Sequence, residues 1–333
     1  MAVASVLLSL TAVAAPAYAC GCGALVPAPG TVVDVTSESA IVNLKDGVET
    51  IVLSLGVDSA LANAGLIVPT PRPATITAGD PALFDSLATQ IVPRERIVDD
   101  WWGNTVGAAP TDTTTVVSRV AVGPLEATTL AATDRAGLSS WLSQNGFEVP
   151  AETSAQLQQY IDKKWQFVAV KLSTEAASDK TLLAGTLAPI QIAFPSDSLV
   201  YPLGMLKTST VARSMRLNVF SDARVDLVRE GTSDQPLDAA VRTVWAGPVT
   251  EAALAGLGGY LTVVDLRFDA PATQISSDIG IVNAPNSDIV DPAVVVVRPI
   301  TLLGFPLGTL LAVWAGIGLL GLLGVAVARS RLR

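Results

Sequence analysis

The chain has 333 residues, 50% hydrophobic and 15% charged, with a formal net charge of −9 and a mean hydropathy of +0.49. A chain this apolar can bury a large core and is not disordered, and its excess of acids opposes a phosphate-binding surface, which excludes nucleic acid as a partner. Histidine is absent and there are two cysteines, so imidazole triads, imidazole zinc sites and four-thiolate sites are excluded, and no metal, cofactor or catalytic constellation is expected.

In chain order, Val3–Ala15 is an uncharged Ala/Val/Leu-rich stretch, followed by Pro16 and by Ala17-Tyr18-Ala19, the small-x-small pattern of signal-peptidase sites. Residues 1–19 therefore read as a secretory signal. No Lys or Arg precedes Lys45, which leaves room for a start upstream of Met1. Cys20-Gly21-Cys22 then becomes the mature N-terminus in an oxidising compartment. Three readings compete there: a local or intermolecular disulfide, an N-terminal Cys20 nucleophile with its own amine as base, and lipidation of Cys20. The disulfide is preferred because no separate activating group is visible.

Thr31–Val35, Ala40–Leu44 and Val48–Leu55 are predicted strands, the last two joined through Lys45-Asp46-Gly47, whose Asp-Gly is a hairpin signal. Prolines 69, 71 and 73 break regular structure, and Asp80–Gln90, with Leu83 and Leu87, is a predicted short helix. Asp99-Asp100-Trp101-Trp102 pairs two acids with two aromatics, an arrangement able to stack a sugar ring while the carboxylates bind its hydroxyls. Burial of the tryptophans in packing is the preferred reading. Residues 110–115 are polar enough for a loop or a lobe boundary.

From Val116 to Leu172 the pattern predicts a strand-helix-helix-strand insert. Val116–Val122 and Glu126–Ala131 are its first strands, and Thr133 caps a helix presenting Leu138, Trp141 and Leu142 that stops at Asn145-Gly146. Pro150 opens a second helix with Leu157, Tyr160 and Ile161 on one face, before a strand Trp165–Leu172 in which Trp165, Phe167 and Ala169 alternate. Further strands are predicted at Leu187–Phe194, Met215–Phe220, Val241–Ala246 and Tyr260–Phe268. The fold class is α+β, mainly antiparallel, with the insert and one C-terminal transmembrane helix.

Trp141-Leu142, Asn145-Gly146-Phe147, Pro150, Tyr160, Trp165, Phe167–Leu172, Pro189-Ile190, Phe194, Ser196-Asp197 and Tyr201-Pro202-Leu203 form a set that resembles a bacterial family catalogued as domain of unknown function 2330. Cys20-Gly21-Cys22 is similar to the start of its mature chain. The resemblance implies an exported, often membrane-anchored bacterial protein and carries over no activity, cofactor or catalytic residue. In that family a basic residue often follows Tyr-Pro-Leu. Gly204 stands here, which argues against an anionic ligand at this loop. Ser196-Asp197 and Tyr201-Pro202 read as turn chemistry, and Lys171 is the one lysine available to a Ser/Lys pair.

Ser276–Asp291 reads as a last edge or a stalk, since Asn286, Asp288 and Asp291 lack calcium-loop spacing. After a juxtamembrane segment, 293–306, Leu307–Ala328 is uncharged and about 33 Å long as a helix at about 1.5 Å per residue, matching a hydrocarbon core of about 30 Å. Gly304, Gly308, Ala312 and Gly316 recur every four residues, a ridge for a helix partner or a homo-oligomer. Arg329, Arg331 and Arg333 form a positive tail, 329–333, expected in the cytoplasm. The predicted organisation is a signal, an extracytoplasmic domain 20–292 and a single span in the bilayer. The expected function is that of a non-enzymatic cell-surface binding or structural protein. Its rivals are an envelope hydrolase or transferase using Cys20 or a Ser/Lys pair, and an accessory subunit of a membrane complex.

Overall fold

The computed structural model describes residues 18–21, 23–27, 35–61, 63–103, 119–120, 126–130, 135–144, 149, 151–173 and 183–331. The chain divides into two compact units, Met1–Ile91 with Val116–Val290, and Val92–Thr115 with Asp291–Arg333.

The spine of the first unit is the hairpin of Val35–Lys45 with Val48–Leu61. Asp46 (φ 52°) and Gly47 (φ 73°) are both left-handed, the two-residue turn whose twist suits antiparallel strands, as Asp-Gly predicted. The predicted break between Val35 and Ala40 is absent: a bulge between Val35 and Ser37 keeps the polar stretch in the strand, because Glu38 turns inward and is partnered there. Arg213–Ser221 runs parallel to Val35–Lys45, and Tyr260–Phe268 and Ala240–Pro248 follow antiparallel. On the other flank Val48–Leu61 pairs with Ile190–Pro195 and with Leu183–Leu187. The single strand predicted at Leu187–Phe194 is thus two, parted at Ala188-Pro189, where Pro189 cannot donate and its carbonyl accepts from Gly79 N.

A second, five-stranded antiparallel sheet is ordered Tyr18–Cys20, Gly23–Pro27, Asn63–Thr70, Gln166–Ser173, Glu126–Leu130. Asn63–Thr70 is a strand in spite of Pro69, which lies beyond Ile67, the last residue paired with Gly23–Pro27, so one side has no ladder there to break. Leu199–Tyr201, Ile279–Asn283 and Val225–Arg229 form a third sheet. Ile279–Asn283 therefore belongs to the folded unit, which agrees with reading Ser276–Asp291 as the last edge of the domain and not as a stalk.

Period-2 alternation builds three stacked cores. Val168, Val170, Leu66 and Val68 share one core with Ile51, Leu53, Leu217 and Leu266 of the main sheet. The opposite face of the five-stranded sheet, with Ile67, Phe167 and Ala169, is covered by helices. Ile41, Val52, Phe220 and Leu261 on the outer face of the main sheet pack with Leu87 of helix α1 (Ala82–Gln90), whose first turn is capped by the Asp80 carboxylate at 2.9 Å from Ala82 N.

The two helices and the last two strands of the predicted insert are present; of its first predicted strand, Val116–Val122, only Arg119–Val120 is described, and it pairs parallel with Leu183–Leu187 of the main sheet. Helices α2 (Arg135–Gln144) and α3 (Ala151–Asp162) place Leu138, Leu142, Leu157 and Tyr160 on the core, and strands Glu126–Leu130 and Gln166–Ser173 pair with each other. Trp141 stands in α2 with its side chain outside the described ones, as are Thr133, Asn145-Gly146 and Pro150. Ile161 lies partly buried against this core. Full burial of each large side chain here contributes about 1.5–3 kcal/mol. A single turn, α4 (Pro271–Gln274), precedes Ile279–Asn283.

The second unit holds a two-stranded parallel ribbon, Glu95–Asp100 with Val294–Pro299, a small hairpin, Thr301–Leu302 with Phe305–Pro306, and helix α5 (Leu307–Arg331). The fold class is α+β, mainly antiparallel, with a C-terminal apolar helix.

Candidate functional site

Two of the features singled out in the sequence meet in the second unit. The β-branched runs Ile97-Val98 and Val294–Val297 form the ribbon, in register from Glu95↔Val294 to Asp100↔Pro299, so both strands end at one level. The Asp100 carboxylate accepts Trp102 N and Gly103 N, each at 3.0 Å, and Gly103 (φ 69°) closes this turn. Ile300 N donates to Asp100 O at 2.9 Å, Leu307 N to Ile300 O at 2.9 Å, and Gly308 N to Trp101 O at 2.7 Å. The first N–H groups of a helix have no partner within it, and here two of them are satisfied by ribbon-end carbonyls. Gly308 is required: a Cβ would lie 2.7 Å from Trp101 O and 2.9 Å from the Trp102 ring.

The tryptophans are not core residues. Trp101 is 45% and Trp102 54% exposed, which overturns the expected burial: the ribbon is only two strands and offers no second layer to cover them. Asp99 is taken by Arg298 at 2.9 Å and Asp100 by its turn, so both carboxylates are engaged inside the unit. Leu303 (φ 56°) and Gly304 (φ 82°) form the tip of the hairpin, where Leu303 is 90% exposed and Phe305 62%. Leucine is a poor left-handed residue, and that conformation costs a side chain with a Cβ about 1–2 kcal/mol. Gly304 accordingly belongs to the turn and not to α5, because the hairpin ends only at Pro306. Of the small-residue ridge, Gly308 lies under Trp102, and Ala312 and Gly316 are exposed on the helix.

At the other end of the sequence, Cys20 pairs in register with Gly23, and Gly21 stands in the turn after Cys20. Cys22 and the Cys20 side chain lie outside what is described. Gly21 N donates to the buried Glu38 carboxylate, which also accepts Tyr201 OH at 2.6 Å. A Cβ on Gly21 would come within 2.7 Å of Met215, so the turn admits no larger residue without a shift. Beside it lies an open hollow of about 300 Å³ lined by Val35, Glu38, Leu206, Arg213 and Met215 among others. Among the described residues no group of three or more His, Cys, Asp or Glu is placed to hold a metal ion.

Asp278, 1% exposed, is the polar hub of the first unit. Its Oδ1 accepts Tyr160 OH (2.6 Å), Leu203 N (2.8 Å) and Gly204 N (2.9 Å), and its Oδ2 pairs with Lys163 at 2.9 Å. Lys163 also meets Glu230 at 2.6 Å and lies 5.1 Å from the Trp165 ring centre. Burial, and then the Asp278 charge, push the Tyr160 hydroxyl well above its usual range. Burial lowers Lys163, but the hydrogen bond to Glu230 and the Asp278 charge outweigh it and its ammonium is stabilised. The Tyr201-Pro202-Leu203-Gly204 loop is thus gripped through Tyr201 by Glu38 and through two backbone N–H groups by Asp278. The anion this loop holds is the protein's own. A Cβ on Gly204 would lie 2.5 Å from Gln159 Nε2 and 2.7 Å from Tyr160 OH, which is why a larger, basic residue has no room here.

Glu49 is fully buried and accepts Val200 N at 3.1 and 3.2 Å. Burial raises its pKa to about 8 against the opposing hydrogen bonds from Val200 and Ser196. The Ser196 hydroxyl also lies 2.5 Å from Ser198 O, so its one proton is shared between that carbonyl and Glu49, within the turn expected of Ser196-Asp197. Lys171 stands cross-strand from Gly65 and Glu126. Glu38, Glu49, Lys163 and Asp278 were missed in the sequence. The available signal was an acid within or against an apolar strand run, as in Glu49 before Ile51 and Asp278 before Ile279.

No curated protein matches this chain in sequence. Among solved structures, the crystal structure of baculovirus P35 aligns at 7% identity over 76% of this chain and 92% of that one, with a TM-score of 0.38, a likeness too slight to carry an argument. The bacterial family described as "Uncharacterized protein conserved in bacteria (DUF2330)" matches residues 16–282, from before the Cys-Gly-Cys turn to the strand that follows Asp278, and the chain belongs to that family.

Proposed function

We propose that this protein is a non-enzymatic, single-span cell-surface protein that displays its β-rich unit outside the membrane as a binding or structural domain. The observation that carries this reading is α5: 25 residues, with a mean hydropathy of 2.4 in its most apolar window and none of that window buried in protein. An apolar helix whose most apolar window is left uncovered by its own chain fits another apolar phase, and its length matches a bilayer. Arg329 and Arg331 in its last turn, with Arg333 after it, favour a cytoplasmic end, and residues 1–19 act as the export signal, so the pairing of Tyr18 with Leu25 and of Ala19 with Ala24 belongs to the uncleaved chain. The interior acids support a non-catalytic role, since Asp278, Glu38 and Glu49 are each held by fold-closing hydrogen bonds.

Protease added to intact cells is expected to digest the β-rich unit while sparing a tag placed after Arg333. A chain ending at Val290 is expected to be secreted as folded, soluble protein. A tag cleaved from outside, or aggregation of the shortened chain, contradicts the arrangement. Selective labelling of the folded protein at Cys20 by a thiol probe, or of a serine by a serine-directed probe, contradicts the non-enzymatic part.

A further inference from the structure

We propose that Trp101, Trp102, Leu302, Leu303 and Phe305 form a collar that inserts into the headgroup–acyl boundary of the bilayer crossed by α5, at the N-terminal end of that helix. The inference rests on α5 being a span and adds a second, lateral attachment to it.

Three observations carry it. The collar is joined to the helix without a linker, since Gly308 N donates to Trp101 O and Leu307 N to Ile300 O, so wherever the first turn of α5 sits the tryptophans sit within a turn of it. The apolar groups are exposed in the least favourable way for water. Leu303, 90% exposed, stands in a left-handed turn position where asparagine or glycine is usual, and half-exposed Trp101 and Trp102 project from a turn built by Asp100. The last charges before the helix are also engaged within the ribbon end: Arg298 pairs with Asp99, the Asp100 carboxylate is taken by the Trp102 and Gly103 N–H groups, and no charged residue follows Arg298 until Arg329. A ribbon end carrying Asp99, Arg298 and Asp100, an aromatic collar and an apolar helix follow one another as headgroups, interface and hydrocarbon do across a leaflet, and tryptophan is enriched at that boundary. The collar fixes the height of the ribbon above the membrane, so the ribbon is a seated element and not a free stalk.

The test uses the full-length protein in phosphatidylcholine–phosphatidylglycerol vesicles carrying lipids brominated either near the headgroup or near the chain end. In a Trp314→Phe background, the emission lost on adding Trp101→Phe and Trp102→Phe isolates the two collar tryptophans. That difference signal is expected to be quenched more strongly by shallow than by deep bromines. In a Trp101→Phe and Trp102→Phe background, the emission lost on adding Trp314→Phe separates Trp314 from Trp141, Trp165 and Trp245; this signal reports the span and is expected to be quenched by the deep bromines. Quenching of Trp314 with an unquenched collar signal overturns the collar and leaves the span intact. A blue-shifted but unquenched collar signal assigns the surface to a second copy of the chain and also overturns it. No quenching of either overturns the span and the collar together.

Discussion

In the first unit Ile51, Phe167 and Leu217 have no exposed surface, and the acids among them are bonded at every turn. In the second, Leu303, Phe305 and almost the whole of α5 are exposed, and the charges pair at the surface as Arg298 does with Asp99. The two units draw on the same apolar alphabet. They differ in what covers it: protein in one case, and in the other, on the reading proposed above, the bilayer. A surface ion pair such as Arg298–Asp99 contributes about 0–1 kcal/mol, so the second unit owes little of its order to charge. Its order comes from the carbonyls of Asp100, Ile300 and Trp101 that continue the ribbon into the helix.

This contrast can be broken in graded steps, read by chemical denaturation of the detergent-solubilised protein. The largest effect is expected from Asp278→Ala, which leaves the buried Tyr160 hydroxyl and Leu203 N without their acceptor and removes one of the two carboxylates that hold Lys163, and should cost about 3–5 kcal/mol. A loss below about 1 kcal/mol would show that water replaces the hub.

Next comes the pH dependence carried by Glu49. Its folded pKa, about 8, lies above its unfolded value near 4.5, so the folded state keeps a proton that the unfolded state gives up. Stability from this group is complete below about pH 4.5 and declines as pH rises toward 8. Wild type is expected to weaken across that window relative to Glu49→Gln. Parallel stability curves for the two proteins would contradict the burial of a neutral Glu49.

Gly204→Ala should cost about 1–3 kcal/mol, since Gln159 can swing aside but the Tyr160 hydroxyl, held by Asp278, cannot. The larger Gly204→Lys should cost more, and if both unfold like wild type, the loop is looser than described. The smallest effect belongs to Trp102→Ala, expected to change the unfolding of the β-rich unit by less than about 0.5 kcal/mol. A larger loss would make Trp102 a packing residue of that unit after all.

Much of the fold was legible where the signal is local. The 3.6-residue spacing of Leu138 and Leu142 and of Leu157 and Tyr160 placed α2 and α3, and Asp46-Gly47 placed the hairpin turn. What was not legible depends on distant partners. Glu38 belongs in a strand because Tyr201 reaches it from 163 residues away, and Asp278 is inside because Tyr160 meets it across 118. Asn63–Thr70 hid behind Pro69, whose tolerance depends on where a neighbouring strand stops. The long apolar C-terminal helix was plain from composition. Its junction with the ribbon was not, since Trp101 and Gly308 meet only when the ribbon pairs Asp100 with Pro299.

The central claim is that the apolar surface of α5 is covered by lipid. Hydrogen–deuterium exchange on the full-length protein in bilayer nanodiscs reads this directly at the amides between Leu311 and Val327. They are expected to remain unexchanged over hours, slower than those of α1, a surface helix of similar regularity. Exchange of the α5 amides as fast as those of α1 would mean that water reaches this helix on all sides, and would contradict the account.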